Sequence, residues 1–404
     1  MRGSFDLRTG HLHLEEQPEA LLENDALIAF CVGDILYDKT DPAQFRELLQ
    51  HPDKDCSFYF EGPFLLLLYF KQEKRLFITQ HPFGTPCNFF FAQSEGLFYF
   101  GTALSGIRDM LPIPFLLNTS ALPQFIRNGF LTGTDTLISG VEKLPPEYSL
   151  TIGENEFRFT RLRWYGDSEP EADLNLEGLY DQVMEKAIRT SMDAFHAPEE
   201  LTVTLSSGYD SNCILHYIKK LEPDAVVHTY SVGGEKGVDE TIAAEQIAAL
   251  YPHTCFERGL VTPGTRDALD EIVARLEGSV FERGIFLQYE LASLLKRSGC
   301  SRIICGECAD QVFNRKTYTE RPDLQYLNSA NAPYAFASNV ILKKNVLMLH
   351  SFGIEVQYPF LNRDVIRMGY LTREQNGTTK EFHKQQCGRI FRPEVMAFLQ
   401  KIGG

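Results

Sequence analysis

The stretch Leu201–Cys213, LTVTLSSGYDSNC, constrains what this chain can fold into more than any other. Apolar residues alternate with Thr from Leu201 to Leu205, the period of a buried strand. A turn of small residues follows at Ser206, Ser207 and Gly208. Apolar positions then recur at helical spacing through Ile214, Leu215, Tyr217 and Ile218. The order strand, small-residue turn, helix brings backbone N–H groups and the positive end of a helix dipole to one place, where an anion can sit. Ser206, Ser207 and Ser211 add hydroxyl donors, and Asp210 can reach a divalent cation. A plain capped helix start accounts for the same Ser and Asp residues equally well. Neither G-x-x-x-x-G-K-[ST] nor G-x-G-x-x-G occurs in the chain, so a nucleotide site here is of another kind.

The pattern differs on the two sides of an acidic segment. Up to about Trp164, the runs Phe58–Phe60, Pro63–Lys71, Arg75–Thr79, Cys87–Ala92 and Gly96–Gly101 predict antiparallel strands separated by polar or Gly turns. Asn118–Gly129 predicts a short helix and Glu147–Thr160 a hairpin. Gly166–Asn175, GDSEPEADLN, has no apolar periodicity and predicts a linker. Beyond it, strand and helix alternate. Leu179–His196 is helical in pattern, Ala225–Val232 a buried strand, Asp239–Leu250 an amphipathic helix, Arg302–Ile304 a short strand and Leu342–Leu349 a helix. Alternation of this kind predicts a parallel sheet flanked by helices, with ligands at the carboxyl ends of its strands. The expected class is α/β, with an antiparallel sheet-rich domain over residues 1–165 and a parallel-sheet domain over residues 176–404; 404 residues suffice for both.

A formal net charge of -15 opposes binding to nucleic acid or to an anionic membrane. The longest apolar run, Phe64–Phe70, is strand length, and the first residues lack an apolar signal core, so a cytoplasmic protein is expected. An odd count of nine cysteines predicts free thiols. Cys305 and Cys308 form one C-x-x-C without a second pair or a spaced His pair, which argues against structural zinc. The same turn carries Glu307 and Asp310, two carboxylates three residues apart beside Gly306. Two solvated acids at a capped turn are the simpler reading of that segment alone.

LSSGYDS resembles the SGGxDS pyrophosphate loop of the ATP pyrophosphatases, in the asparagine-synthetase branch, with Ser207 in place of the first Gly. CGECADQ resembles that family's SGEGADE segment, with Cys305 and Cys308 where the family has Ser and Gly. The resemblance implies a PP-loop adenylation domain using ATP and Mg²⁺. It places ATP against Leu205, Ser206, Ser207, Gly208, Asp210, Ser211, Val232, Gly233, Cys305 and Gly306, and magnesium on Asp210 and Asp310. Glu307 then lies beside the reacting carboxylate and is the candidate proton acceptor. Thr378-Thr379-Lys380-Glu381 resembles the family's Lys segment, making Lys380 the catalytic cation, with Lys384 second. FGIEVQYPFLN resembles GVExRxPFLD, but Gln357 and Asn362 each remove a charge, and an internal ion pair is as good a role for Glu355 as catalysis.

The first half is similar, through FEGPFLLLLYFKQEKRLFITQHPFGTPCNFFFAQSEGLFYFGTAL and GVEKLPPEYSLTI, to the class II glutaminase (Ntn-type) domain that precedes asparagine synthetase. That glutaminase needs a Cys directly after the initiator Met, whose free amine is the base for its own thiol. Arg2 stands there and Cys31 has no free α-amine, so a degenerate domain without glutaminase activity is expected. The resemblance implies an amide-forming ligase that adenylates a carboxylic acid and couples it to ammonia or to a substrate amine, which includes a peptide. Ring-forming relatives, the β-lactam synthetases and lasso-peptide cyclases, and a catalytically weakened ATP-binding scaffold stay open, and so does a homodimer.

Overall fold

The computed structural model describes the chain except residues 16–18, 34, 36–46, 48, 50–59, 82–86, 113, 147, 163–174, 196–199, 235–238, 283, 314–336, 377–379 and 400–404. The expected linker thus lies outside the described residues, save for Asn175. Two compact units form. One comprises Met1–Arg163, Leu276–Glu282 and Ser338–Leu347; the other comprises Trp164–Arg275, Arg283–Ala337 and Met348–Gly404. Among the described residues, no helix is long and apolar enough to cross a membrane.

The first unit is built on two antiparallel sheets. Its strands are β1 (Arg2–Asp6), β2 (Leu12–Leu14), β3 (Leu22–Glu23), β4 (Leu27–Gly33), β5 (Phe64–Phe70), β6 (Arg75–Gln80), β7 (Phe90–Ser94), β8 (Leu97–Gly101), β9 (Glu142–Lys143), β10 (Tyr148–Gly153) and β11 (Glu156–Arg161), with helices α1 (Leu104–Met110) and α2 (Leu122–Asn128). One sheet has the order β2-β1-β8-β7-β9 and the other β11-β10-β6-β5-β4-β3. The unbroken apolar run of β5 follows from burial on both its faces. Leu65 and Leu67 join one core cluster with Phe91, Phe98 and Phe100 of the other sheet, while Phe64, Leu66, Leu68 and Phe70 join a second with Leu27 and Ala29. Leu67→Ala, at a fully buried position of the first cluster, is expected to cost about 2–5 kcal/mol, read as a lower denaturation midpoint. The excursion Leu276–Glu282 is held by Glu277, whose carboxylate accepts from Asn88 Nδ2 (3.1 Å) and from the Leu104 N–H that opens α1 (2.9 Å).

The second unit carries α3 (Leu176–Met192), β12 (Glu200–Thr204), α4 (Tyr209–Leu221), β13 (Val226–Gly233), α5 (Glu240–Ala248), β14 (Thr254–Leu260), α6 (Pro263–Asp267), α7 (Leu269–Arg275), α8 (Ile285–Arg297), β15 (Arg302–Ile304) and α9 (Ala309–Phe313). After α10 (Leu342–Ser351) come β16 (Glu355–Gln357), α11 (Arg363–Asn376), α12 (Glu381–Ile390) and α13 (Pro393–Phe398). All its strand pairs are parallel, in the order β14-β13-β12-β15-β16. The α/β class, antiparallel first and parallel second, is as the sequence predicts. β14 and β16 are additions, for physical reasons. β14 is an edge strand whose exposed positions mix Cys255 and Leu260 with Glu257 and Arg258, and β16 is three residues long, so neither shows an apolar run. The chain steps outward from β12 to β14, then returns to the other side of β12 with β15. This reversal is the topological switch point, beyond whose carboxyl ends such sheets open a crevice.

Candidate active site

The turn after β12 is braced from within. Gly208 is the N-cap of α4, in extended conformation, and makes no side-chain cap bond. The Ser206 N–H donates to Ser211 Oγ at 3.0 Å and the Gly208 N–H donates to Ser206 Oγ at 3.2 Å. Asn212 Nδ2 donates to the carbonyls of Ser206 (2.9 Å) and Gly208 (2.7 Å). The hydroxyls therefore shape the turn instead of capping the helix, which leaves the first-turn N–H groups of α4 without a side-chain acceptor at the positive end of its dipole. Leu205 ties the turn to the sheet, its N–H donating to Tyr230 O at 2.8 Å. Ser207 is fully buried and its Oγ has no hydrogen-bond partner, an uncommon state for a native hydroxyl.

The turn after β15 lies against the first. A Cβ on Gly306 would come within 3.1 Å of Ser211 N and 3.3 Å of Ser211 Cα, so the approach of the two backbones favours glycine there. Buried Cys305 donates its N–H to Gln357 O at 2.9 Å, joining the turn to β16. Cys308 is buried with φ 75°, a left-handed conformation that side-chain-bearing residues seldom adopt. Glu307 is half-buried, and its charge adds to the burial that raises the Cys305 thiol and the Tyr358 hydroxyl above their ordinary values. Val232 and Gly233 end β13, the neighbour of β12 on the same edge. A Cβ on Gly233 would meet Asp239 Oδ1 at 2.9 Å, so this strand end too is packed for glycine.

Both aspartates reach one cation. Lys380, the N-cap residue of α12, places its Nζ 2.5 Å from Asp210 Oδ2 and 2.9 Å from Asp310 Oδ1. Lys384 instead closes the first turn, its N–H donating to Lys380 O at 3.1 Å. His383 Nε2 lies 3.1 Å from Asp210 Oδ1, and His383 Nδ1 lies 2.8 Å from the Tyr180 hydroxyl. Burial works to raise the Asp210 carboxyl, but the Lys380 ammonium and the His383 contact outweigh it and hold its pKa at about 2. For Lys380, burial favours the neutral amine and the two carboxylates outweigh it, raising its pKa. Burial dominates at His383, whose pKa falls, so the ring is neutral at pH 7. Burial, then the thiols of Cys213 and Cys387, push the Tyr180 hydroxyl well above its ordinary value.

A pH dependence follows. The folded pKa of Asp210 lies below the ordinary 3.8, so its pairing contributes stability that is complete above that value and lost as pH falls towards about 2. The stability difference between the unaltered protein and Asp210→Asn, from denaturant titrations, is expected to be constant near neutrality and to shrink between about pH 4 and about pH 2. A difference that does not change with pH through that window would contradict the pairing.

The remaining sequence candidates fall elsewhere. Glu355 is ion-paired to Arg302, at the amino ends of β16 and β15, away from the carboxyl edge. Asn362 accepts the Asp364 N–H at 3.0 Å and caps α11. The sequence reading passed over His383, Tyr180 and Asn212. His383 had one usable signal: it follows Lys380 by three residues, the spacing that puts two side chains on one helix face.

Residues 179–334 match the family model described as asparagine synthase. No curated protein matches the chain by sequence. Among solved structures the chain is similar to the U34-tRNA thiolase NcsA from Methanococcus maripaludis, at 14% identity over 55% of this chain and 77% of that one, with TM-score 0.29. It is also similar to NMN synthetase from Francisella tularensis, at 10% identity over 56% and 92% of the two chains, with TM-score 0.26. A third is glutamine-dependent NAD+ synthetase from Acinetobacter baumannii, in complex with ADP, at 13% identity over 72% and 63%, with TM-score 0.25. These likenesses are too distant to carry an activity. The chain thus contains, over residues 179–334, a domain of the asparagine synthase family.

Proposed function

We propose that this protein is an AMP-forming carbon–nitrogen ligase that adenylates a carboxylic acid with ATP and passes the acyl group to ammonia or to a substrate amine. The asparagine synthase domain supports an ATP-dependent ligase. The observation that carries the finer reading is the meeting of Asp210 and Asp310, from turns after adjacent parallel strands, on one ammonium at 2.5 and 2.9 Å. Two carboxylates that already share a cation have the donor chemistry magnesium takes when substrate phosphates complete its shell. When bound by Asp210 and Asp310, the ion would neutralise phosphate charge.

The chain's own groups divide the remaining work. The turn Leu205–Gly208, with Ser211 and the open N–H groups of α4, cradles the phosphates. Val232, Gly233, Cys305 and Gly306 border the adenosine. An oxygen of the substrate carboxylate bonds to the α-phosphorus as the bond from that phosphorus to pyrophosphate breaks, and Lys380 stabilises the charge on the departing pyrophosphate. The amine nitrogen then bonds to the acyl carbon, AMP leaves, and Glu307 takes the proton the nitrogen sheds. In the N-terminal unit Arg2 lies in β1, ion-paired to Glu15 at 2.8 Å, and Cys31 lies inside β4 with its nitrogen in a peptide bond.

ATP–pyrophosphate exchange across a panel of carboxylic acids tests the reading. Exchange and AMP release that depend on one acid are expected. Nucleotide binding with no exchange for any acid would leave an ATP-binding scaffold in its place.

A further inference from the structure

Both oxygens of Asp210 are occupied from a single helix. Lys380 contacts Oδ2, and His383, on the same face of α12, contacts Oδ1. His383 is fully buried, stacked on Phe313 (ring centroids 4.9 Å apart, 9° between planes) and met edge-on by Phe360 (5.4 Å, 87°). Its ring has no room to swing. A carboxylate accepts and never donates, so Nε2 carries the ring proton and donates to Asp210. The neutral ring then leaves Nδ1 as an acceptor, and the buried Tyr180 O–H of α3 donates to it at 2.8 Å. One tautomer is thereby selected.

We propose that His383 is a positioning residue: braced by Tyr180, it holds the Asp210 carboxylate in the rotamer that meets a nucleotide-bound divalent cation. The inference rests on the proposed role of Asp210 in the nucleotide site. Groups that orient a ligating side chain in this way change metal affinity by about 10–100-fold when removed.

Two measurements on the full chain test it. Long-range ¹⁵N–¹H spectra of the protein without nucleotide are expected to show His383 protonated at Nε2, with His383→Gln providing the assignment, and Tyr180→Phe is expected to keep that tautomer, because the Asp210 contact by itself requires a proton on Nε2. Calorimetry of ATP binding with magnesium or with a chelator is expected to show the magnesium-dependent gain in affinity reduced at least about tenfold in His383→Leu, with binding in chelator unchanged. His383→Gln, whose amide N–H can take the place of Nε2–H, recovers most of the gain. Tyr180→Phe keeps its shape, gives a smaller loss, and decides the matter should His383→Leu fail to fold. A His383 protonated at Nδ1, or a full magnesium-dependent gain in the folded variants, overturns the positioning role. Absence of magnesium-dependent ATP binding in the unaltered protein overturns the ligase reading and the role with it. The tautomer, measured without nucleotide, tells the two failures apart.

Discussion

Asp210→Asn is expected to reduce acid-dependent ATP–pyrophosphate exchange by about 10²- to 10³-fold, the scale for removing one group that stabilises transition-state charge. The substitution keeps the size of the side chain and removes half of the pair that shares a cation. Lys380 is then left with Asp310, whose side chain is 56% exposed, so the remaining contact is with a solvated carboxylate that screening weakens. The protein should stay folded, because the sheets and the buried contacts of Tyr180 and His383 with Phe313, Phe360 and Phe382 do not depend on this charge. A thermal melt alongside the exchange assay separates the two effects. Exchange at the parental rate in a folded Asp210→Asn protein would remove the metal role of that residue.

Lys380→Met is expected to have a comparable effect, for a different reason. Its side chain is 10% exposed and its ammonium lies between two carboxylates; without it the like charges of Asp210 and Asp310 face each other and drive each other's pKa up. The proposed leaving-group role adds a kinetic signature. An interaction made only as pyrophosphate departs lowers kcat and kcat/KM together, whereas a purely binding role raises KM alone. Lys380→Arg is expected to restore little, since a planar five-donor fork does not fit where one nitrogen serves two carboxylates at 2.5 and 2.9 Å. A Lys380→Arg protein with parental kcat would show that charge alone suffices and that the geometry is incidental.

Legibility in the sequence follows the range over which each feature is decided. The β12–turn–α4 unit was readable because burial alternates every second residue in the strand and at helical spacing after it, within the eighteen consecutive residues Leu201–Ile218. The same local signals could not separate a capped helix start from an open one. That depended on where Ser206 and Ser211 direct their hydroxyls, which is towards each other and the turn backbone. Edge strand β14, whose water-facing side chains mix polar and apolar, and three-residue β16 carry too little periodicity to be seen. The excursions Leu276–Glu282 and Ser338–Leu347, which join the first unit, carry no local mark either.

Periodicity and small-residue turns, properties of neighbours along the chain, determined the two sheet types and the presence of acid-bearing turns at strand ends. Which turns meet was decided only in three dimensions, by a strand order that sets β15 beside β12 and by a helix that returns Lys380 to Asp210 across 170 residues. The tautomer of His383 belongs to the same class, since it is chosen by a tyrosine on one helix and a carboxylate on another. Side-chain burial along one segment is fixed by its own pattern, whereas the electrostatics of a site depend on distances between segments that share no pattern at all.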